Sequence, residues 1–277
     1  MAGDDRAAAP AGRRRGFSPV LAVCALLLIV LFAGLGTWQV VRLQWKLDLI
    51  ARVNARVHAA PAAPPSRARW AGITSASDEY RRVALHGTYL YDLTTPVQAL
   101  TEEGSGYWLL TPMCTTDGTI ILVNRGFIPA ELGARTRYTQ QAATGNPCAH
   151  AGDSAAAAVT VTGLLRTSER NGAFTRTNVP AEGRWYTRDV AAITAARGLG
   201  GTAPVAPFFV DAAARQNPPG SPDQPVGGLT VVNFPNSHLV YAFTWYALAL
   251  MVGGAWWWTA RDGRRETTEH DDDERHD

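Results

Sequence analysis

The residue best placed to do chemistry is a histidine at the threshold of an apolar run. His238 immediately precedes residues 239–260, a stretch with no charged side chain. If that stretch is a helix, Asn236 or Ser237 can cap it, and the helix N-terminus disfavours an imidazolium. The neutral imidazole left there is the form that ligates a metal. Tyr241 and Trp245 follow in the same run, and Trp38 lies in a second apolar run, 20–41, so these three can wall an apolar ligand. Arg42 and Lys46, just past the second run, can neutralise anionic groups on such a ligand. The plainer account makes His238 a capping or interfacial histidine with an ordinary hydrogen bond, and Arg42 and Lys46 headgroup anchors. Residue types alone favour that plainer account.

Other chemistry finds less support. Of three cysteines, Cys24 lies inside an apolar run, while Cys114 and Cys148 fall in the middle of the chain. These two are a disulfide candidate if that segment sits outside the cytoplasm, although the sequence does not show that they meet. There is no C-x-x-C pair and no Cys/His cluster of the kind a redox or zinc site needs. Gly104-Ser105-Gly106 lacks the spacing of a nucleophile elbow, and neither His-Glu-x-x-His nor a phosphate-cradling glycine loop occurs. The chain is therefore expected not to be an enzyme. His86 reads as an outward strand residue and Gly87 as structural. Asn124-Arg125-Gly126 can form a docking edge for a partner, or can satisfy a buried carboxylate.

The elements that position these residues begin with the two apolar runs. About 20 apolar residues rising 1.5 Å each cross roughly 30 Å of hydrocarbon, and both 20–41 and 239–260 qualify. The first run is too long for a cleaved signal peptide. Trp256, Trp257 and Trp258 at one end of the second resemble an interfacial belt. Arg13, Arg14 and Arg15 precede the first span and Arg261, Arg264 and Arg265 follow the second, so both termini are expected to be cytoplasmic. The organisation expected is a cytoplasmic tail over 1–19, a transmembrane helix over 20–41, an extracytoplasmic β-rich domain over 42–238, a second transmembrane helix over 239–260, and a disordered cytoplasmic tail over 261–277. The extracytoplasmic side would be that of a bacterial cell membrane, or its equivalent in an organelle. A formal charge of +2 over 277 residues, with no basic stripe, argues against nucleic acid as a partner.

Between the spans, the first helical pattern continues to about residue 57, where Pro61, Pro64 and Pro65 end it. β-branched or alternating runs over 82–91, 96–101, 107–115, 119–127, 159–167, 207–211 and 228–233 predict strands. Asp117-Gly118 predicts a hairpin within 107–127. One short helix is predicted over 189–197, capped by Thr187, and 134–158 reads as a long surface loop. Short strands with a single helix imply an α+β membrane protein, two transmembrane helices flanking a mainly antiparallel β domain.

Read in order, the segments TWQVVRLQWK, YRRVALHGTY, GYWLLTPM, IILVNRGFIP, VTGLLRTSER, RWYTRDV and PVGGLTVVNFPNSHLVYAFTWYALAL resemble the Surfeit-locus "Surf-one" family, also called Shy-one. The resemblance runs from Thr37 to about Leu250. It implies an assembly factor for haem-copper cytochrome c oxidase that assists haem a insertion into the catalytic subunit or stabilises that subunit, working beside other oxidase assembly factors in the lipid bilayer. It raises the standing of His238 as an axial haem a ligand, with Trp38, Tyr241 and Trp245 against the macrocycle and Arg42 and Lys46 toward its propionates. Asn236-Ser237-His238 stands where the family often has Asn-Asn-His, and Arg125-Gly126-Phe127 where it often has Arg-Gly-Trp. A cofactor-free membrane chaperone of the oxidase subunit is the alternative, and a membrane-tethered hydrolase a more distant one.

Overall fold

The computed structural model describes residues 19–130, 138, 141–149, 158–169, 172, 176–201, 203–232 and 234–273, the backbone alone beyond residue 261. The expected N-terminal tail and most of the 134–158 loop lie outside the described residues. Two compact units emerge, one formed by the helical ends and one by Ala51–Asn233.

In the helical unit, α1 (Pro19–His58) and the last helix (His238–Asp273) carry the two apolar runs. Only 6% of each apolar window is buried in the protein, so these are not core helices of a soluble fold. Their side chains find an apolar solvent only in a bilayer. The helices pack through small and aromatic residues. Phe32 stacks on Trp245 with ring centroids 5.7 Å apart, and Thr37 Oγ1 lies 3.0 Å from Tyr246 Oη. Gly36 lies under the Tyr246 ring, where a Cβ would come within 2.9 Å of it, the close approach that small residues allow between membrane helices. The last helix runs on through Asp273, although 261–277 was expected to be a disordered tail; Arg264, Arg265, Glu266 and Glu269 are good helix formers.

The second unit contains α2 (Ser75–Asp78), α3 (Val190–Ala196) and six strands: β1 (Arg82–Tyr89), β2 (Thr95–Thr101), β3 (Gly104–Thr115), β4 (Ile120–Pro129), β5 (Val159–Thr167) and β6 (Val205–Ala212). We label the last helix of the chain α4. The strand order is β1-β5-β6-β4-β3-β2, and β1 also pairs with β3. The five strands β1, β5, β6, β4 and β3 thus close into a ring, with β2 attached outside it. All pairs are antiparallel except β4–β6, which is parallel. The membrane-anchored α+β class holds, and the parallel pair arises because β5 and α3 intervene in the chain between β4 and β6.

Alternation decides what lies inside the ring. Val83, Leu85 and Tyr89 of β1, Met113 of β3, Ile121 and Val123 of β4, Val161 and Leu165 of β5, and Phe208 and Val210 of β6 form one core cluster. The intervening residues face outward, where Val190 and Ile193 of α3 cover Val97, Leu110, Leu122 and Phe209, together with Trp185. Asp189 caps α3 by accepting from Ala192 N at 3.1 Å, the role expected of Thr187. Residues 228–232 do not form the expected strand: Gly228 has φ +83°, outside extended geometry, and the one ladder contact there is a bridge from Val226 to Phe127. Cys114 of β3 and Cys148 are joined in a disulfide that ties residues 141–149 to the barrel.

A small closed barrel needs close backbone approaches at its seams. Gly87 sits where β1 meets β3, and a Cβ there would lie 2.1 Å from the Cys114 carbonyl oxygen. Gly87→Ala is expected to cost about 2–3 kcal/mol. Gly72→Ala, where a Cβ meets nothing within 4 Å, should stay within about 0.5 kcal/mol of wild type. Urea unfolding of the full chain in detergent, followed by near-ultraviolet dichroism, distinguishes the two.

Candidate functional site

In the helical unit, His238 opens α4, and its backbone N–H donates to Asn236 Oδ1 at 3.4 Å. Its Nδ1 lies 2.7 Å from the side-chain oxygen of Gln39, which is buried at 9% exposure. An amide oxygen only accepts, so Nδ1 is the donor in this contact. Nε2 meets no other hydrogen-bonding group among the described residues. Tyr241 and Trp245 follow at three and seven residues, on the same helix face as His238. Gln39, Arg42 and Lys46 are spaced in the same way on α1.

Arg42, Lys46 and Trp245 have partners of their own. The Arg42 guanidinium sits 4.7 Å from the centroid of Trp45, and Lys46 Nζ 5.6 Å from that of Phe234. Trp245 stacks on Phe32, so its ring serves helix packing. Trp38 and Tyr241 are both more than half exposed. His86 is exposed on β1, with Nδ1 2.8 Å from Thr160 Oγ1.

The Asn124-Arg125-Gly126 triplet is wholly buried, so it forms no exposed docking edge. By alternation Arg125 points into the ring, where it closes one end. Its guanidinium lies 5.7 Å from the Tyr89 centroid and 4.7 Å from that of Tyr91. It donates to Asn217 Oδ1, Ser221 Oγ and the Pro222 carbonyl. Burial pushes the Arg125 guanidinium below its ordinary range and the Tyr89 hydroxyl above its own. Asn124 points outward and donates from Nδ2 to Asp211 at 2.8 Å.

That carboxylate is the centre of a network that sequence reading missed. Asp211, 3% exposed on the outer face of β6, accepts from Asn124 and from Arg188 Nη1 on one oxygen. On the other it accepts from Arg166 Nη1 and Thr230 Oγ1, each at 3.0 Å. Arg166 also donates from Nε to Glu79, and Arg188 from Nε and Nη2 to Glu169. Burial alone would raise the Glu169 carboxyl, but Arg188 outweighs it and holds that carboxyl below the ordinary range. A cavity of about 420 Å³ opens on this network, walled by Trp108, Leu100, Leu229 and Val231. The signal in the sequence was an acid inside the apolar segment VAPFFVDA, since buried acids are paired.

The chain matches the SURF1 family over residues 26–250. It is 33% identical over 249 residues to human Surfeit locus protein 1, covering 83% of this chain and 74% of that one. The chain belongs to the SURF1 family. A SURF1-like protein of Monosiga brevicollis is also 33% identical, over 80% of this chain and 81% of its own length. A SURF1-like protein of Caenorhabditis elegans is 29% identical over 83% and 71%. The SURF1 match takes in the first apolar run from Leu26, the second up to Leu250, His238 with Gln39, and the whole Asp211 network.

Because the folded-state pKa of Glu169 is depressed, its contribution to stability is present above about pH 4.5 and is lost as pH falls below that value. Glu169→Gln should therefore flatten the acid limb of the stability profile while lowering stability at neutral pH. Thermal melts from pH 7 down to 3 check this.

Proposed function

We propose that this member of the SURF1 family is an assembly factor for haem-copper cytochrome c oxidase, which holds haem a for the catalytic subunit with His238 as an axial ligand. The observation that carries the reading is the Gln39–His238 hydrogen bond, which fixes the imidazole through Nδ1 and leaves Nε2 on the side away from Gln39. Ligating histidines are oriented in this way, by donating the N–H of the nitrogen that does not face the metal to a fixed acceptor. The donor set fits a haem: one oriented imidazole at a helix start, exposed Trp38 and Tyr241 for an apolar face, and Arg42 and Lys46 in the same stripe as Gln39 for the propionates. When bound, haem a would supply the redox centre of the oxidase, and the chain's part is to bind, orient and release it.

The setting proposed is a bacterial cell membrane with both termini cytoplasmic and the barrel domain outside. Arginines before the first span and after the second support it, as does the Cys114–Cys148 disulfide, a bond that persists in oxidising compartments. The partners proposed are the oxidase catalytic subunit and other assembly factors of the same enzyme.

The test is an absorption spectrum and pyridine haemochrome assay of detergent-purified protein from cells that make haem a, wild type beside His238→Ala. The expected outcome is a haem a signal in wild type that is lost in the variant, with both proteins folded. A folded wild type without haem a would instead make the protein a cofactor-free chaperone of the oxidase subunit.

A further inference from the structure

The hairpin of β2 and β3 leaves part of its outer edge unused. β2 lies at the end of the sheet, and Thr101 pairs with Gly104 across the turn Glu102-Glu103. In an antiparallel pair, successive residues turn their backbone groups alternately toward and away from the neighbouring strand. Gln98 turns its N–H away from β3, donating to the Trp185 carbonyl at 2.8 Å, so Leu100, two residues on, faces the same way. Among the described residues, nothing pairs with the Gln98 carbonyl or with the N–H and carbonyl of Leu100. The Leu100 residue is 83% exposed. An edge with unspent backbone groups is a template for a further strand.

A second unpaired stretch borders the same space. Residues 229–232 read Leu-Thr-Val-Val, a strand-forming run, yet none of their main-chain groups is paired among the described residues. The stretch is held through the Thr230 hydroxyl, on Asp211. The cavity of about 420 Å³ beside Asp211 is lined by Leu100, Thr101 and Glu102 from the hairpin and by Leu229, Thr230 and Val231 from this stretch. Val231 is 70% exposed, and Trp108 adds an indole face. Exposed apolar side chains beside unspent backbone groups suit an extended chain. Charge then selects the occupant. Arg166 and Arg188 are outnumbered by Asp211, Glu79 and Glu169, and Glu102 stands on the wall with Glu103 beside it in the turn. The surplus is negative, so the incoming chain is favoured by a lysine or arginine and disfavoured by an acid. A second copy of this chain would bring its own Glu102 and Glu103 against these two, which opposes self-pairing.

We infer that the open edge of β2 takes an extended segment of a partner polypeptide as an added strand, one with apolar residues at alternate positions and a basic side chain among them. Main-chain bonds to Leu100 and Gln98 set its register, one row of its side chains lies over the cavity, and residues 229–232 gain the ladder their composition favours. The site lies wholly within the barrel domain and is independent of the His238 reading.

Isothermal titration of the full chain in zwitterionic lipid nanodiscs, with empty discs as blank, tests it with the capped peptide Ac-Lys-Val-Thr-Val-Lys-Val-NH2. One counterpart replaces both lysines by glutamate, and another carries a methyl group on every backbone nitrogen. The lysine peptide should bind saturably, about tenfold more tightly than either counterpart. Leu100→Pro removes the unspent N–H and no β2–β3 ladder bond, because that backbone faces away from β3, and it should weaken the peptide about tenfold without altering the circular dichroism. Glu102→Lys, at an exposed turn position, should cut the preference for lysine over glutamate several-fold, and it decides the matter if the proline variant does not fold. No saturable binding of the lysine peptide, a counterpart that binds as tightly, a folded Leu100→Pro with unchanged affinity, or an unchanged preference in Glu102→Lys would each overturn the inference. A dimer of the full chain in detergent, seen by sedimentation and dissolved by Leu100→Pro, would assign the edge to a second copy and overturn it as well.

Discussion

Asp211 carries a full charge at 3% exposure on the outer wall of the barrel, and everything around it follows from the need to satisfy that charge. An unpaired carboxylate so placed would cost several kcal/mol. Here it collects Asn124 from β4, Arg166 from β5, Arg188 from the segment before α3, and Thr230 from the segment leading to α4. These four stretches of chain are thereby tied to β6 at one residue. The same bonds hold both guanidinium groups beside the adjoining cavity, which Arg166 and Arg188 line.

The barrel divides its labour between two faces. Inside, the ring is mainly apolar, and Arg125 closes one end on Tyr89 and Tyr91 and pins residues 217–222 by hydrogen bonds. Arg197 does similar work at α3, donating to Thr95 Oγ1 and the Thr94 carbonyl; burial lowers its guanidinium to about 10. Arginine suits these positions because its planar fork serves several carbonyl and hydroxyl acceptors at once. Outside, α3 covers one part of the wall and leaves the part beside it as the cavity. In the helical unit the same economy appears on a smaller scale: one buried amide, Gln39, orients one imidazole, His238.

Much of this was legible in the sequence because it depends on local pattern. The two apolar runs, the alternation that makes β1 to β6, and the Asp117-Gly118 turn between β3 and β4 are properties of neighbouring residues. The strand expected over 228–233 failed because Gly228 takes a positive φ, and sequence cannot show which glycine will. His238 was singled out from its position at a helix start, but Gln39, 199 residues away, was not. Asp211 was read only as a strand end, because Asn124 and Arg166 lie 87 and 45 residues from it and become neighbours only through the order β5-β6-β4. Family membership underlies the proposed function, and long-range strand order assembles the Asp211 network.

The claim on which the account of the domain rests is that the Asp211 charge, rather than packing alone, holds this wall together. Asp211→Asn keeps the volume and removes the charge. Chemical unfolding of the full chain at pH 7 should show a loss of at least about 3 kcal/mol, the scale for breaking a buried ion pair. A variant within about 0.5 kcal/mol of wild type would contradict it, because substitutions away from such a network typically have effects that small.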